Sequence, residues 1–363
     1  MLHSVKYRWA IAASVCLAIA GAFAQSQPTA PKTIDQVFKN IQVLKGVPAD
    51  QLNPTMGFIA ASLGVGCDHC HIAGAFDKDD KKPKVVARQM MQMMFAINKE
   101  NFEGKRVVTC YSCHRGTQEP VAVPVIAEEE PKQEKPAAAL EITADQILDK
   151  YVLAIGGADA IQKISSRVEK GKATTFGGHE FPVDVYQKGS EKRASYLHTP
   201  QGDSVTVYDG QGGWMTMPGR PSREMSGGDL DSAKFDADLQ FPLTVKQSFA
   251  ELKVSGTEKV DGHETYVVTG NRADLPPVNF YFDQQTSLLV RELRYTETPL
   301  GRFPTQIDYA DYRASGGTKI PFQWSVARPG SKFVTRLEDV QNNVPIDDAK
   351  FAKPPEPPPL TRH

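Results

Sequence analysis

The sequence lacks a strong net charge, a long hydrophobic run and a large set of cysteines. Its 363 residues hold 42 Lys+Arg against 43 Asp+Glu, a formal net charge of −1, which excludes a strongly basic nucleic-acid-binding protein. A negative mean hydropathy excludes a polytopic membrane protein. Cysteine occurs five times, as Cys16 and two close pairs, so none remains for a disulfide framework if both pairs have another role.

An export signal is predicted over residues 1–24. Lys6 and Arg8 form a positively charged start, and residues 9–20 are apolar but too short to span a bilayer comfortably. Ala22-Phe23-Ala24 then provides a cleavage site of small residues. An uncleaved anchor is the alternative. We expect a mature chain from residue 25 onward that is periplasmic.

Changes in composition divide the mature chain. Residues 25–118 contain the four remaining cysteines and five of the nine methionines. Residues 119–140 are rich in Pro, Glu and Ala, as is typical of a semi-extended linker. Residues 141–352 have no cysteine, and 353–363 form a Pro-rich tail. We therefore expect two independently folding modules joined by a linker.

The first module is predicted to be all-helical. Apolar spacing indicates helices over 33–44, over 54–63 with Gly64 ending it, and over 84–102 after Pro83. Its apolar content is small for its length, so we expect it to fold around something large.

The second module is predicted to be a helix followed by an antiparallel, curved or partly closed sheet, so the fold class is α+β. Thr143 and Gln146 form a capping box, and Gly156-Gly157 ends the capping helix. Short alternating segments separated by turn pairs then predict hairpins. These join Val183–Lys188 to Arg193–Leu197, Val205–Tyr208 to Trp214–Met217, Phe280–Phe282 to Leu288–Tyr295, and Ile320–Val326 to Phe333–Val340.

The chemistry lies in two C-x-x-C-H motifs, at residues 67–71 and 110–114. Two thiols at this spacing can reach the two vinyl groups of one porphyrin, and the adjacent histidine then lies under the iron. The motifs predict two covalently bound haem c groups. Their attachment residues are Cys67, Cys70, Cys110 and Cys113, and their proximal ligands are His71 and His114.

Two other uses of paired cysteines were considered. A four-cysteine zinc site would span the 40 residues between the pairs, and a thioredoxin-like redox pair would need a βαβ pattern that neither motif has. The histidine after each pair and the export signal favour haem over both.

The sixth iron ligands are predicted to be methionines. The first module has three histidines, two of them proximal, and His69 lies between the cysteines of its own motif and cannot easily reach the opposite face. Met56 is the only methionine of this module that lies upstream of the first motif. For the second haem the third helix offers Met90, Met91, Met93 and Met94, and periodicity does not select among them.

Residues 87–93, Ile97-Asn98 and 108–116 resemble the cytochrome c subunit of photosynthetic reaction centres, over about residues 45–118. In that family a helix before each motif carries the axial methionine. By position, the resemblance implies that Met56 is the ligand of the first haem and Met90 that of the second. The other methionines of the third helix would then have a packing role.

The chain departs from that family in number of haems. Family members usually carry four motifs and this chain has two, and the histidine serving a further haem falls near Gly104 and is absent. Electron transfer is implied, whereas service to a photosystem is not. The expected partners are redox proteins, such as a membrane reaction centre or a respiratory complex, with any membrane contact made through the partner.

The second module more loosely resembles the lipoprotein-carrier fold, whose curved sheet can hold an acyl chain. The residues that carry this are 151–157, Ala160-Ile161 and the hairpin at 280–295. We favour a docking or spacer module with a filled core. The acidic segment with Asp229, Asp231, Asp236 and Asp238 lacks the glycine and closing Glu of a calcium loop and is interpreted as a solvated loop.

The functional hypothesis is a periplasmic dihaem electron carrier with no enzymatic activity. One alternative is a dihaem peroxidase-like enzyme, which needs one open iron. The other is a ligand- or lipid-binding module with an accessory cytochrome, which needs a cavity in 141–352.

Overall fold

The computed structural model describes residues 32–122 and 141–355, apart from positions 176 and 274. The predicted signal peptide, most of the predicted linker and the end of the Pro-rich tail lie outside the described residues. Within the described ranges, no helix has the length and apolar character needed to cross a membrane.

Residues 32–122 form the helical part. It contains α1 (Ile34–Val37), α2 (Leu52–Leu63), α3 (Lys82–Asn101) and α4 (Cys110–His114). Helix α2 ends at Gly64, which has the left-handed conformation (φ 66°), and Pro83 lies in the first turn of α3. The predicted second and third helices are confirmed.

The predicted helix over 33–44 is wrong beyond Val37. Phe38 is extended and Asn40 is left-handed, so the chain turns back on itself. The Ile34 amide donates to the Val47 carbonyl at 2.7 Å, and the Gly46 amide donates to the Asp35 carboxylate at 2.8 Å. The apolar residues of this segment therefore reach the core from a turn.

Residues 141–355 form one thirteen-stranded antiparallel sheet with helices. The helices are α5 (Ala144–Ala154), α6 (Ala158–Gln162), α7 (Gly227–Ala237) and α8 (Phe241–Thr244). The strands are β1 (Ser166–Thr174), β2 (Glu180–Lys188), β3 (Lys192–Thr199), β4 (Gly202–Tyr208), β5 (Gly213–Met217), β6 (Arg220–Glu224), β7 (Glu251–Val260), β8 (His263–Arg272), β9 (Leu275–Asp283), β10 (Leu289–Thr298), β11 (Gly301–Ser315), β12 (Thr318–Arg328) and β13 (Ser331–Asn342).

The sheet consists of two meanders joined by one long-range pairing. The strand order is β6-β5-β4-β3-β2-β1-β13-β12-β11-β10-β9-β8-β7, so every neighbour is sequential except β1 and β13. The four predicted hairpins are confirmed as β2/β3, β4/β5, β9/β10 and β12/β13.

Helix α5 covers the main core of the sheet. Its capping box is present, with the Gln146 amide donating to Thr143 Oγ1 at 3.2 Å, and its apolar face packs with Phe280 and Phe282. The prediction of a solvated acidic loop is wrong for most of the segment: Asp229, Asp231 and Asp236 lie on helix α7, and Asp236 pairs with Arg294 of β10 at 2.7 Å.

The helical part and the sheet share an apolar cluster. Leu300, just before β11, and Phe303, near its start, are 0% and 7% exposed and belong to the same cluster as Phe58 of α2. A Cβ at Gly57 would lie 2.7 Å from the Phe303 ring, so glycine permits this approach. Arg106, four residues before Cys110, also pairs with Glu297 of β10.

Candidate functional site

The first C-x-x-C-H motif follows α2 directly. Cys67–His69 form a short 3-10 turn, and the Cys67 side chain is exposed. His71 Nδ1 lies 3.1 Å from the Phe76 carbonyl oxygen. A carbonyl only accepts hydrogen bonds, so Nδ1 carries the proton and Nε2 keeps its lone pair.

The loop that supplies this carbonyl is tied to α3. Lys84 Nζ donates to the Phe76 carbonyl at 2.9 Å. Arg88 binds Asp79 through two hydrogen bonds of 2.9 Å and donates to the Asn40 carbonyl at 3.2 Å. These bonds, with help from Lys84, hold the pKa of the Asp79 carboxyl well below its usual range. The loop therefore holds the His71 acceptor in place.

The second motif is itself a helix, α4. The Thr109 amide donates to Ser112 Oγ at 3.0 Å at its start, and Arg115 in the left-handed conformation ends it. His114 Nδ1 lies 3.1 Å from the Thr117 carbonyl oxygen. Both motif histidines therefore have the same arrangement, with Nδ1 bonded to a downstream carbonyl and Nε2 left for a ligand bond.

Asn98 of α3 holds the backbone of the segment that leads into the second motif. It is 5% exposed, and its Oδ1 accepts from the amides of Val107 and Val108 at 3.0 and 2.9 Å. Its Nδ2 donates to the Val108 carbonyl at 2.7 Å. No role was predicted for Asn98 from the sequence. The available signal was a polar residue four positions after Met94, on the apolar face of the helix.

The end of α2 brings the two motifs together. The Gly116 amide donates to the Ser62 carbonyl at 2.9 Å, and a Cβ at Gly64 would lie 2.1 Å from the Gly116 carbonyl oxygen. Gly64 precedes the first motif by three residues and Gly116 follows the second by two. The backbones around the two motifs therefore touch.

Burial affects the titrating groups of both motifs in the direction expected for partly enclosed side chains. It lowers the pKa of His71 and raises the pKa values of Cys70 and Cys110. A neutral imidazole is the form that binds a metal.

The methionines of α3 fall into two groups. Met91 and Met94 are 7% and 4% exposed and lie in the cluster shared with the sheet, whereas Met90 and Met93 are 38% and 49% exposed. Met56 of α2 is half-buried at the edge of that cluster. The assignment of Met56 and Met90 as axial ligands stays a prediction, and Met93 is not packed in the core.

Exposed apolar side chains concentrate around the motifs. Of the fifteen large apolar side chains recorded as exposed in the described ranges, eleven lie in the helical part. They are Val37, Phe38, Ile72, Phe76, Val85, Val86, Met90, Met93, Val107, Tyr111 and Val121. A small part of a protein rarely leaves so much apolar surface uncovered, and a large apolar cofactor would cover it. The residues present thus fit haem, in donor chemistry and in surface.

We also searched for sites at which side chains alone could hold a metal ion. Across residues 32–122 and 141–355, no group of three or more His, Cys, Asp or Glu side chains is arranged to hold one.

Comparison with known proteins finds cytochromes that are similar to the helical part. Residues 7–154 match the family described as the photosynthetic reaction centre cytochrome C subunit. This confirms the resemblance predicted from the two motifs and the helix between them.

Two relatives illustrate the extent of the match. The chain is 36% identical over 96 residues to the photosynthetic reaction center cytochrome c subunit of Thermochromatium tepidum, covering 25% of this chain and 24% of that protein. It is 34% identical over 82 residues to cytochrome c-554 of Chloroflexus aurantiacus, covering 21% and 20%. The chain thus spans about a quarter or less of the length of these relatives.

Among solved structures, the chain is similar to a LolA superfamily protein from Nitrosomonas europaea, with 17% identity and a TM-score of 0.41. That match covers 58% of this chain and 98% of the other. A second is a lipoprotein-sorting protein domain from Vibrio parahaemolyticus, with 9% identity and a TM-score of 0.41, covering 57% and 95%.

Proposed function

We propose that this protein is an exported dihaem c-type cytochrome that carries electrons between redox proteins. The observation that carries the proposal is the matched hydrogen bond in the two motifs, His71 to Phe76 and His114 to Thr117. In metal-binding histidines such a bond orients the ring and sets which nitrogen binds.

The roles of the chain's own residues follow. Cys67 and Cys70 would attach one haem and Cys110 and Cys113 the other, with His71 and His114 as proximal ligands and Met56 and Met90 on the opposite faces. When bound, haem supplies one-electron transfer. The carbonyls of Phe76 and Thr117 orient the imidazoles, and Met56 and Met90 would hold the remaining iron positions, which would favour electron transfer over substrate chemistry.

The partner class follows from the electron-carrier role, since a carrier exchanges electrons with other redox proteins during brief docking. A membrane reaction centre or a respiratory complex is the proposed kind of partner.

The test is the intact mass of the full chain, expressed with a signal-processing and haem-attachment system. We expect a chain that begins at residue 25 and carries two haems. The double variants C67A/C70A and C110A/C113A should each lose one haem, while the control Cys16→Ala, at a cysteine outside both motifs, keeps both. A wild-type mass without two haems would refute the dihaem proposal, and an uncleaved chain would refute export with cleavage.

The peroxidase-like alternative has its own measurement. We expect reversible reduction and no sustained hydrogen peroxide turnover in either the oxidised or the half-reduced protein. Turnover accompanied by loss of one methionine ligand would favour the enzyme.

A further inference from the structure

The sheet borders a half-open cavity that the electron-carrier function does not use. Its volume is about 530 Å³, and its walls come from both meanders and from helices α5, α7 and α8. This volume is within the range of small-molecule sites, roughly 300–1,000 Å³. The filled core favoured in the sequence analysis is therefore wrong for this face of the sheet.

The charged groups on the β10 side of the cavity are paired with each other. Arg294 binds Glu292 at 2.6 Å and Asp236 at 2.7 Å, and its guanidinium lies 4.6 Å from the centre of the Phe235 ring. The Tyr309 hydroxyl donates to Glu292 at 3.1 Å. One guanidinium faces two carboxylates in this network, so its N–H donors are already bonded and its net charge is negative, which leaves no donor for an anionic ligand.

The opposite side, on β1 to β4, is different. Register places Arg167 beside Gln187, Gln187 beside Arg193, and Arg193 beside Tyr208, so these four side chains form one row across the sheet. All four line the cavity, together with Glu169.

This row has an excess of positive charge. Arg167 Nε donates to Asn342 at 2.9 Å, and its terminal nitrogen lies 3.9 Å from the carboxylate of Glu169, which is 8% exposed. Arg193 acts on Glu169 only through its charge, and its guanidinium makes neither a hydrogen bond nor an ion pair with any described residue. Two guanidinium groups thus face one carboxylate.

An unpaired guanidinium on a cavity wall can bind a planar anion, because its forked N–H donors match the two oxygens of a carboxylate. The other walls include Tyr208, Met215 and Trp324, which suit a ring or a short apolar body. A long acyl chain fits less well, since it would take water away from Arg193 and Glu169 without replacing it.

We propose that this cavity binds a small organic carboxylate. Its carboxylate group binds Arg193, and its apolar body packs against Tyr208, Met215 and Trp324. None of the residues that line the site belongs to the helical part.

The test is calorimetric titration of the haem-loaded full chain with two probes, benzoate and hexanoate, and with benzamide as the neutral match of benzoate. At least one carboxylate should bind, and benzamide should bind at least about tenfold more weakly than benzoate if benzoate binds. Arg193→Met should weaken carboxylate binding by about tenfold or more. Arg193→Lys should weaken it less, because it keeps the charge but loses the fork.

Arg313→Met is the control, because Arg313 is exposed, pairs with Asp311 and does not line the cavity. It should leave binding unchanged. Failure of both carboxylates to bind the wild type would overturn the proposal, as would equal binding of benzoate and benzamide. If Arg193→Met does not fold, the proposal is decided by two other results: the difference between benzoate and benzamide in the wild type, and the weaker carboxylate binding of Arg193→Lys. Tight binding of the neutral apolar probe N-phenyl-1-naphthylamine without carboxylate binding would instead indicate an acyl-chain cavity.

Discussion

At the scale of single residues, the haem motifs depend on side chains outside them. Asn98 is the clearest example, because one buried amide holds both hydrogen-bonding groups of Val108 and the amide of Val107. Leaving buried polar groups unsatisfied costs about 1–3 kcal/mol each.

We therefore expect Asn98→Leu to lower the free energy of unfolding by roughly 2–4 kcal/mol, measured by urea titration, since more than one backbone group loses its partner. Haem attachment at Cys110 and Cys113 should also fall, as read by intact mass. Asn101→Leu is the control: Asn101 is exposed on the same helix and donates only to the Ile97 carbonyl. Equal losses in both variants would contradict the positioning role of Asn98.

The axial ligand of the second haem can be tested at the same scale. Met90→Ala should change the haem spectrum and lower one reduction potential, because Met ligation raises it. Met91→Ala should leave the spectrum intact but cost about 2–5 kcal/mol of stability, since Met91 is buried.

Met93→Ala discriminates between the candidates. Met93 is 49% exposed, so its removal should change neither stability nor spectrum if Met90 is the ligand. A spectral change in Met93→Ala, with none in Met90→Ala, would transfer the assignment to Met93.

At the scale of elements, the loop between the first motif and α3 is held by charge. The lowered pKa of Asp79, caused by Arg88, Asn40 and Lys84, means that its ionised form is bound more tightly in the folded chain. That stabilisation is present above the ordinary carboxyl pKa and is lost as pH falls through the folded pKa.

Asp79→Asn should therefore be less stable than wild type at pH 7, and the difference should shrink as pH falls below about 4. The measurement is the urea midpoint between pH 2 and 7. Asp80→Asn is the control, one residue along the same exposed loop, and should show no such dependence. A difference for Asp79→Asn that does not change with pH would mean that its charge is not the stabilising feature.

At the scale of the whole molecule, the sheet contributes side chains to the core of the helical part. Phe303 and Leu300 fill a cluster whose other members are Ile34, Leu44, Phe58, Met91 and Met94. Separate folding of residues 25–118 stays a prediction, and this cluster is where the two parts depend on each other.

Phe303→Ala should cost about 3–5 kcal/mol and should destabilise the haem-bearing helices, because it opens a cavity against Gly57. Unfolding should be followed both by haem absorbance and by circular dichroism of the sheet. Phe333→Ala, at a 42% exposed position of β13, is the control and should cost little. If the haem signal of Phe303→Ala unfolds as in wild type, the helices do not need the sheet.

What the sequence by itself determined is local. The C-x-x-C-H motifs, the bounds of α2 and α3 and the four hairpins each depend on residues a few positions apart, whose spacing, turns and caps can be read directly. The predictions failed at residues 38–44 and at α7, two segments that contact distant residues: Asn40 bonds with Asp77, Asp79 and Arg88, and Asp236 pairs with Arg294.

Only the tertiary structure decided the features that join distant segments. The β1/β13 pairing connects the two meanders, Phe303 reaches the helices, and the row from Arg167 to Tyr208 leaves Arg193 unpaired beside a cavity. No periodic pattern or motif in the sequence marks these contacts, because each joins residues that are far apart in the chain and are brought together only by packing. The haem chemistry could thus be predicted before the fold, while the second candidate site could be found only in it.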